Sequence, residues 1–210
     1  MVSKLVVAVV VVVLLLILLL AVGPQLLRQE LVITEEQARE FALQELNYTY
    51  PGSSVQIYDV RNESGTWRIR AKVIYGRGTP CPNLTLVELN FPKTGFVPRE
   101  PNVITSDCHV LGCKDNPSCL IANEEEAVTI VIERNAVPEL DRELISKYGF
   151  STIRASALFY PLYADPVTNT TYSDVWVTTW SSTNASANVT YIVILNKTGG
   201  SPMAWHAVPA

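Results

Sequence analysis

The sequence predicts an α+β protein: an N-terminal transmembrane helix, then two small units, each a helix laid on an antiparallel sheet. Three observations carry this expectation. The chain opens with a long apolar run, the residues beyond it switch between a helical and a strand period, and the order of elements in the first half recurs in the second.

The apolar run begins at Leu5 and ends at Val22, eighteen residues without one polar side chain. About 20 apolar residues rising 1.5 Å each cross a hydrocarbon core of about 30 Å, so this run is expected to span a membrane. It is longer than the core of a usual cleaved signal, and Ala21-Val22-Gly23 with Pro24 behind it is only a passable cleavage site. Residues 1–29 are therefore read as an uncleaved signal anchor and connector. Lys4 before the run and Arg28 after it orient it only weakly.

Asparagine orients it better. Seven Asn-x-Ser/Thr sequons occur, at Asn47, Asn62, Asn83, Asn169, Asn184, Asn188 and Asn196, and Asn116 is excluded by Pro117. From the Asn, Ser and Thr content, chance would give about two. The excess points to N-linked glycans on a domain outside the cytoplasm, held at the cell membrane by a single pass. The charge of −4 and the pI near 5.2, with no basic or aromatic-interleaved patch, argue against nucleic acid as a partner.

Four cysteines in such a domain suggest two disulfides among Cys81, Cys108, Cys113 and Cys119. Three pairings are open; the preferred one staples Cys113 to Cys119 locally and ties Cys81 to Cys108. A four-sulfur zinc site, with His109 as a spare ligand, fits less well, because structural zinc sites favour C-x2-4-C pairs and the gaps here are four and five residues. No metal or other cofactor is expected.

In order, Thr34-Glu35-Glu36-Gln37 reads as a capping box with Ile33 as its staple, and Ala38, Phe41, Ala42 and Leu46 give the helix one apolar face. The helix should stop near Asn47, before Pro51-Gly52. Val55, Ile57 and Val60 mark a short strand, and Asn62-Glu63-Ser64-Gly65 a turn. Trp67, Ile69, Ala71, Val73 and Tyr75 alternate with Arg68, Arg70 and Lys72, as in a half-buried antiparallel strand. A strand over 84–91 ends in a Lys93-Thr94-Gly95 turn, and Phe96-Val97 starts a fourth.

Residues 30–98 make the first unit, and 99–121 read as a cysteine-bearing linker. The second unit, 122–210, opens on the acidic cap Asn123-Glu124-Glu125-Glu126 and an apolar helix over 127–132. Pro138 then starts another helix, closed by Gly149. Strands are expected over 153–160, 174–180 and 189–195. A Lys197-Thr198-Gly199-Gly200 turn and a short strand over 203–205 end the chain.

Thr34-Glu35-Glu36-Gln37-Ala38, Gly65-Thr66-Trp67 and Lys93-Thr94-Gly95 in the first half, with Glu124-Glu125-Glu126-Ala127 and Lys197-Thr198-Gly199 in the second, resemble the PepSY domain, a cystatin-like α+β module. The resemblance covers most of 31–98 and 122–206. It implies tandem PepSY-like units behind a membrane anchor, in a protein that restrains or stabilises secreted peptidases or cell-wall enzymes. It carries no catalytic residues.

The residues themselves agree. With two histidines, no Gly-x-Ser-x-Gly elbow, no phosphate loop and no haem motif, no catalytic set can be read. His206 reads as a partly exposed strand end, and Glu124 to Glu126 as a helix N-terminus. Tyr160, Tyr163, Tyr172, Trp176 and Trp180 read as core or as a binding surface. The expected function is a glycosylated, non-enzymatic interaction module, accessory to a partner protein such as a peptidase or a membrane complex. The alternative is a structural subunit of a cell-surface layer or filament.

Overall fold

The computed structural model describes residues 33–91, 95–114 and 116–210. The membrane segment expected between Leu5 and Val22, and Lys93 and Thr94 of the first Lys-Thr-Gly turn, lie outside them. Among the described residues no helix is long and apolar enough to cross a membrane.

Helix α1, Glu35–Thr49, starts directly after Thr34 and buries Ala38, Ala42 and Leu46. It lies against β1, Ser54–Glu63, and β2, Thr66–Tyr75. Strand β3, Asn83–Phe91, pairs with β2 in the register Ile69↔Leu89, Ala71↔Val87. That register sets the apolar members of both strands on one face. Phe41 reaches over to Phe91, ring centroids 5.9 Å apart, and Phe91 stacks on Phe96 at 4.5 Å. The β1–β2 turn closes as predicted, with Asn62 Oδ1 accepting from Gly65 N–H at 2.9 Å and Gly65 at φ +86°.

β1 runs on through polar Asp59 to Glu63, well past the predicted short strand. Those side chains stay in the ladder because charges on β2 and β3 meet them. The stretch read as a linker is also more ordered than expected. It holds β5, Asn102–Ser106, which pairs with β3 and continues into β6, His109–Val110, while the fourth strand expected at Phe96-Val97 is present as β4, Val97–Pro98, also paired with β3. The first sheet therefore has six strands. Thr105 replaces a ladder contact at the β5 bulge: its buried hydroxyl accepts from Leu84 N–H and donates to the Pro82 carbonyl.

Helix α2, Glu124–Glu133, carries the predicted reciprocal cap. Asn123 Oδ1 accepts from Glu126 N–H, and the Glu126 carboxylate accepts from the Asn123 amide and from Ala122 N–H. Residues Glu125 through Val131 are all buried, because α2 is packed from two sides. It touches β5 and β6 of the first sheet, and also β7, Ile153–Ala164, and β8, Thr171–Ser182. The next helix, α3 (138–148), begins at Pro138 and has a π-helical middle, Asp141–Ile145; Gly149 then turns the chain at φ +84°.

β7, β8, β9 (Val189–Asn196) and β10 (Pro202–Pro209) form a four-stranded antiparallel meander. Each half thus runs helix, then an up-and-down sheet. The inner face of the second sheet holds Trp176, Trp180, Tyr191, Val193 and Leu195 against α2 and α3. Trp180 Nε1–H donates to Thr178, and Trp176 Nε1–H to the Ile121 carbonyl. These two indoles are core, each removing some 150–250 Å² from water. Tyr160, Tyr163 and Tyr172 cover Val175, Val177 and Ile194 on the opposite face.

β7 continues four residues beyond its predicted end. Pro161 does not stop it: β7 is an edge strand, and at Pro161 the ladder skips one pair, opposite Asp174 at φ +52°, before resuming at Leu162↔Ser173. Ala155 N–H donates to Gly78, away from β8, and Thr183 N–H donates to the Thr152 carbonyl. A proline whose missing N–H would face outward costs an edge strand nothing in its ladder.

Candidate functional site

All four sulfurs are paired, Cys81 with Cys108 (Cα–Cα 4.8 Å) and Cys113 with Cys119 (5.1 Å). This is the preferred pairing, and it leaves no thiolate for a metal. The first bridge ties the β2–β3 loop to the turn between β5 and β6. The second closes a short loop that is then clamped by the turn after β9. Gly199 N–H donates to the Cys119 carbonyl, Ile121 N–H to Lys197, and Leu120 pairs with Thr198. Arg134 reaches the Gly199 carbonyl. At Gly199, φ +79°, a side chain would run into the Pro117 carbonyl. The Lys197-Thr198-Gly199-Gly200 motif is thus the seat of the cysteine loop.

Between that loop and β5 lies a groove of about 390 Å³ lined by Val103, Val110, Leu111, Cys113, Leu120 and Glu126. Leu111 is 46 % and Leu120 58 % exposed, which is high for large aliphatic side chains meeting at one place. Glu126 stands at its edge. Burial raises its carboxyl above the usual range, against the opposing hydrogen bonds from Ala122 and Asn123. On the other side of the loop, Glu133 accepts from Val110 N–H and lies 3.6 Å from His109 Nδ1. Chemically this is a recess of mixed polarity with a disulfide in its wall, where Leu111 and Leu120 offer apolar contact beside Asn102, Asn116 and Glu126.

A second groove, of about 420 Å³, runs along α1 between Phe41, Gln44, Glu45, Tyr48, Phe91 and Phe96. Asn47 stands on the same helix.

All seven sequon asparagines are exposed. Asn47 is in the last turn of α1, Asn62 in the β1–β2 hairpin, and Asn83 opens β3. Asn169 lies in the β7–β8 hairpin, Asn184 and Asn188 in the β8–β9 loop, and Asn196 ends β9. Asn184 Oδ1 accepts from Ser186 N–H at 2.9 Å and Asn196 Oδ1 from Thr198 N–H at 2.8 Å, so both are held in Asx turns. No sequon falls between Asn83 and Asn169. The cysteine-loop groove draws its lining from that stretch.

On the face of the first sheet away from α1, the arginines that alternate along β2 are knit to one carboxylate. Glu88 Oε2 accepts from Arg68 at 2.9 Å and from Arg70 at 3.0 Å, and its Oε1 lies 3.0 Å from Arg99 Nε. The Arg68 hydrogen bond holds Glu88 below the usual carboxylate range, against the effect of burial and with Arg70 helping. Asp59 meets Arg61 at 2.9 Å and Arg70 at 3.8 Å. These charges offset one another as ion pairs, while Asp59 Oδ2, Arg68 Nε and Glu88 Oε1 are buried without a hydrogen bond among the described residues.

His206 differs from its expected place at a partly exposed strand end. Its side chain is 13 % exposed, and Nε2 lies 2.7 Å from Oδ2 of Asp165, which is 1 % exposed. Asp165 also accepts from Thr168 Oγ1–H at 2.6 Å and Val167 N–H at 3.0 Å. Burial raises its pKa, but the bonds from Thr168, Val167 and His206 together outweigh that and lower it. The hydroxyl in this group donates to the aspartate and not to the histidine, the reverse of a nucleophile–base pair. What the three residues do is lock the β7–β8 hairpin tip to β10 across the sheet. Asp165 and His206 stand 41 residues apart, and no spacing rule links them.

No family model, curated protein or solved structure matches this chain.

Proposed function

We infer that this chain is a membrane-anchored, extracytoplasmic, N-glycosylated interaction module without catalysis of its own. It acts as an accessory or regulatory subunit of a partner protein, and a secreted peptidase or a membrane complex is the kind of partner expected. The two helix-on-sheet halves, read as tandem PepSY-like units, are the scaffold for that contact. The observation that carries the reading is the cysteine-loop groove. Leu111 and Leu120 stay exposed there on a loop fixed by a disulfide, on a stretch without sequons, so a partner would meet two preorganised apolar anchors in a recess of mixed polarity.

The test is a pull-down of the full chain from its own membranes in mild detergent, comparing wild type with Leu111→Glu/Leu120→Glu. A stoichiometric partner kept by wild type and lost at least about tenfold by the variant supports the reading. Equal recovery from both would move the contact elsewhere. A hydrolytic or redox activity of the isolated chain, abolished by one side-chain change, would overturn the non-enzymatic part. The second reading, a structural subunit of a surface layer or filament, is favoured by one observation. The second sheet ends in a long, uncharged strand edge.

A further inference from the structure

The groove along α1 has a different chemistry from the cysteine-loop groove. The rings of Phe41, Tyr48, Phe91 and Phe96 line it together with two polar side chains, Gln44 and Glu45. Tyr48 is 86 % and Phe41 42 % exposed, so the aromatic surface lies open. Aromatic faces flanked by an amide and a carboxylate suit a sugar ring. The electron-rich face of an arene attracts the weakly positive C–H side of the sugar, and the polar rim bonds its hydroxyls.

The same helix carries a point from which a sugar can come. Asn47 opens the sequon Asn47-Tyr48-Thr49, and its side chain is exposed. Residues three apart on a helix are neighbours, with Cβ atoms about 5–6 Å apart, so Asn47 stands beside Gln44 at the groove's rim. Helical side chains also lean toward the N-terminus, so a group on Asn47 extends over the turn that holds Phe41 and Gln44.

We propose that the glycan of Asn47 lies in this groove, its first sugars stacked on Tyr48 and Phe41 and bonded by Gln44 and Glu45. The assignment rests on the reading of the chain as N-glycosylated. A sugar on an aromatic ring is a weak contact between separate molecules. Attached to the same helix, the sugar acts at an effective concentration of about millimolar or more. The glycan thereby becomes part of the first unit, covering the rings that join the end of α1 to β3.

The experiment uses the full chain, purified in mild detergent from membranes that glycosylate it. Glycopeptide mass spectrometry gives the occupancy of Asn47, and hydroxyl-radical footprinting gives the reactivity of Tyr48 and Phe41. Thr49→Ala removes the sequon at an exposed position, and Ser186→Ala, also exposed, removes the Asn184 sequon as a control. Asn47 should be occupied in wild type. Both rings should react at least about fivefold faster in Thr49→Ala and at the wild-type rate in Ser186→Ala. Tyr48→Ala keeps the sequon, and a glycosidase acting on the folded protein should cut its Asn47 glycan at least about tenfold faster. An unoccupied Asn47 overturns the proposal, and bare asparagines at all seven sequons overturn the glycosylation reading with it. An occupied Asn47 with equal footprints, or with equal cutting rates, overturns the groove contact and leaves glycosylation standing. If Thr49→Ala does not fold, the cutting rates of wild type and Tyr48→Ala decide alone.

Discussion

The two sheets follow one plan but finish it differently. In the first, α1 covers one face and the other is a lattice of arginines and carboxylates around Glu88. In the second, α2 and α3 cover the inner face, while the outer is covered by tyrosines and pinned by the Asp165–His206 contact. The same meander can thus leave a face to water if charges are paired in plane, or bury it if a long hairpin folds back. The second sheet consequently has tyrosines where the first has guanidiniums, and with two indoles buried on its inner face it should dominate stability.

The largest test of that comparison is Trp180→Ala. Trp180 is fully buried in the second core, and its loss should cost about 3–5 kcal/mol in chemical denaturation. Ile69→Ala, at a fully buried site of the first sheet, should cost about 2–4 kcal/mol. A larger loss at Ile69 would reverse the ranking of the two sheets.

Asp165→Asn comes next. It replaces a buried carboxylate that accepts three hydrogen bonds, at about 2 kcal/mol near neutral pH. Because its folded pKa is lowered, the wild-type contribution is present above the ordinary value of 3.8 and fades as pH falls through the lowered one. The variant's melting temperature should therefore fall less steeply on acidification. Parallel acid profiles for the two proteins would remove Asp165 from the acid response.

Glu88→Gln should have the smallest effect. Glu88 is also lowered, so its contribution holds above the ordinary 4.5 and is lost as pH falls through the folded value. Its arginines are partly in water, where such pairs contribute about 1 kcal/mol or less. A Glu88 effect as large as that of Asp165 would mean that burial does not separate the two faces.

What could be read from the sequence was local. The Asn123–Glu126 cap and the Asn62–Gly65 turn each span four residues, and in each the side chain that makes the bond stands beside the backbone it serves. The Trp67–Tyr75 alternation fixed a face because a strand has period two. The disulfide partners were a preference among three pairings, since Cys108 and Cys113 stand as near in sequence as Cys113 and Cys119 do. What escaped were contacts set by the third dimension. β5 and β6 looked like a linker, since their strand character comes from a neighbour, β3, and not from their own pattern. The ends of β7 were hidden by Pro161, which is harmless only on an edge. The Asp165–His206 lock needs four strands to bring its members together. The apolar run at Leu5 to Val22 was the plainest feature of the sequence, and the described residues begin after it.

The seat of the cysteine loop sets a timetable. Strands β1 to β3 and helix α1 have all their partners soon after they leave the ribosome. The Cys113–Cys119 loop and the inward side of α2 do not, because Lys197, Gly199 and Gly200 are made about 80 residues later. Until they arrive, Ile121 and Ile130 lack part of their cover, and Leu120 has nothing to pair with. The growing chain therefore passes through a stage in which one half is finished and the joint between the halves is open. Any oxidant that closes Cys113 to Cys119 must then either act on a loop not yet in place or wait for the turn from Lys197 to Gly200.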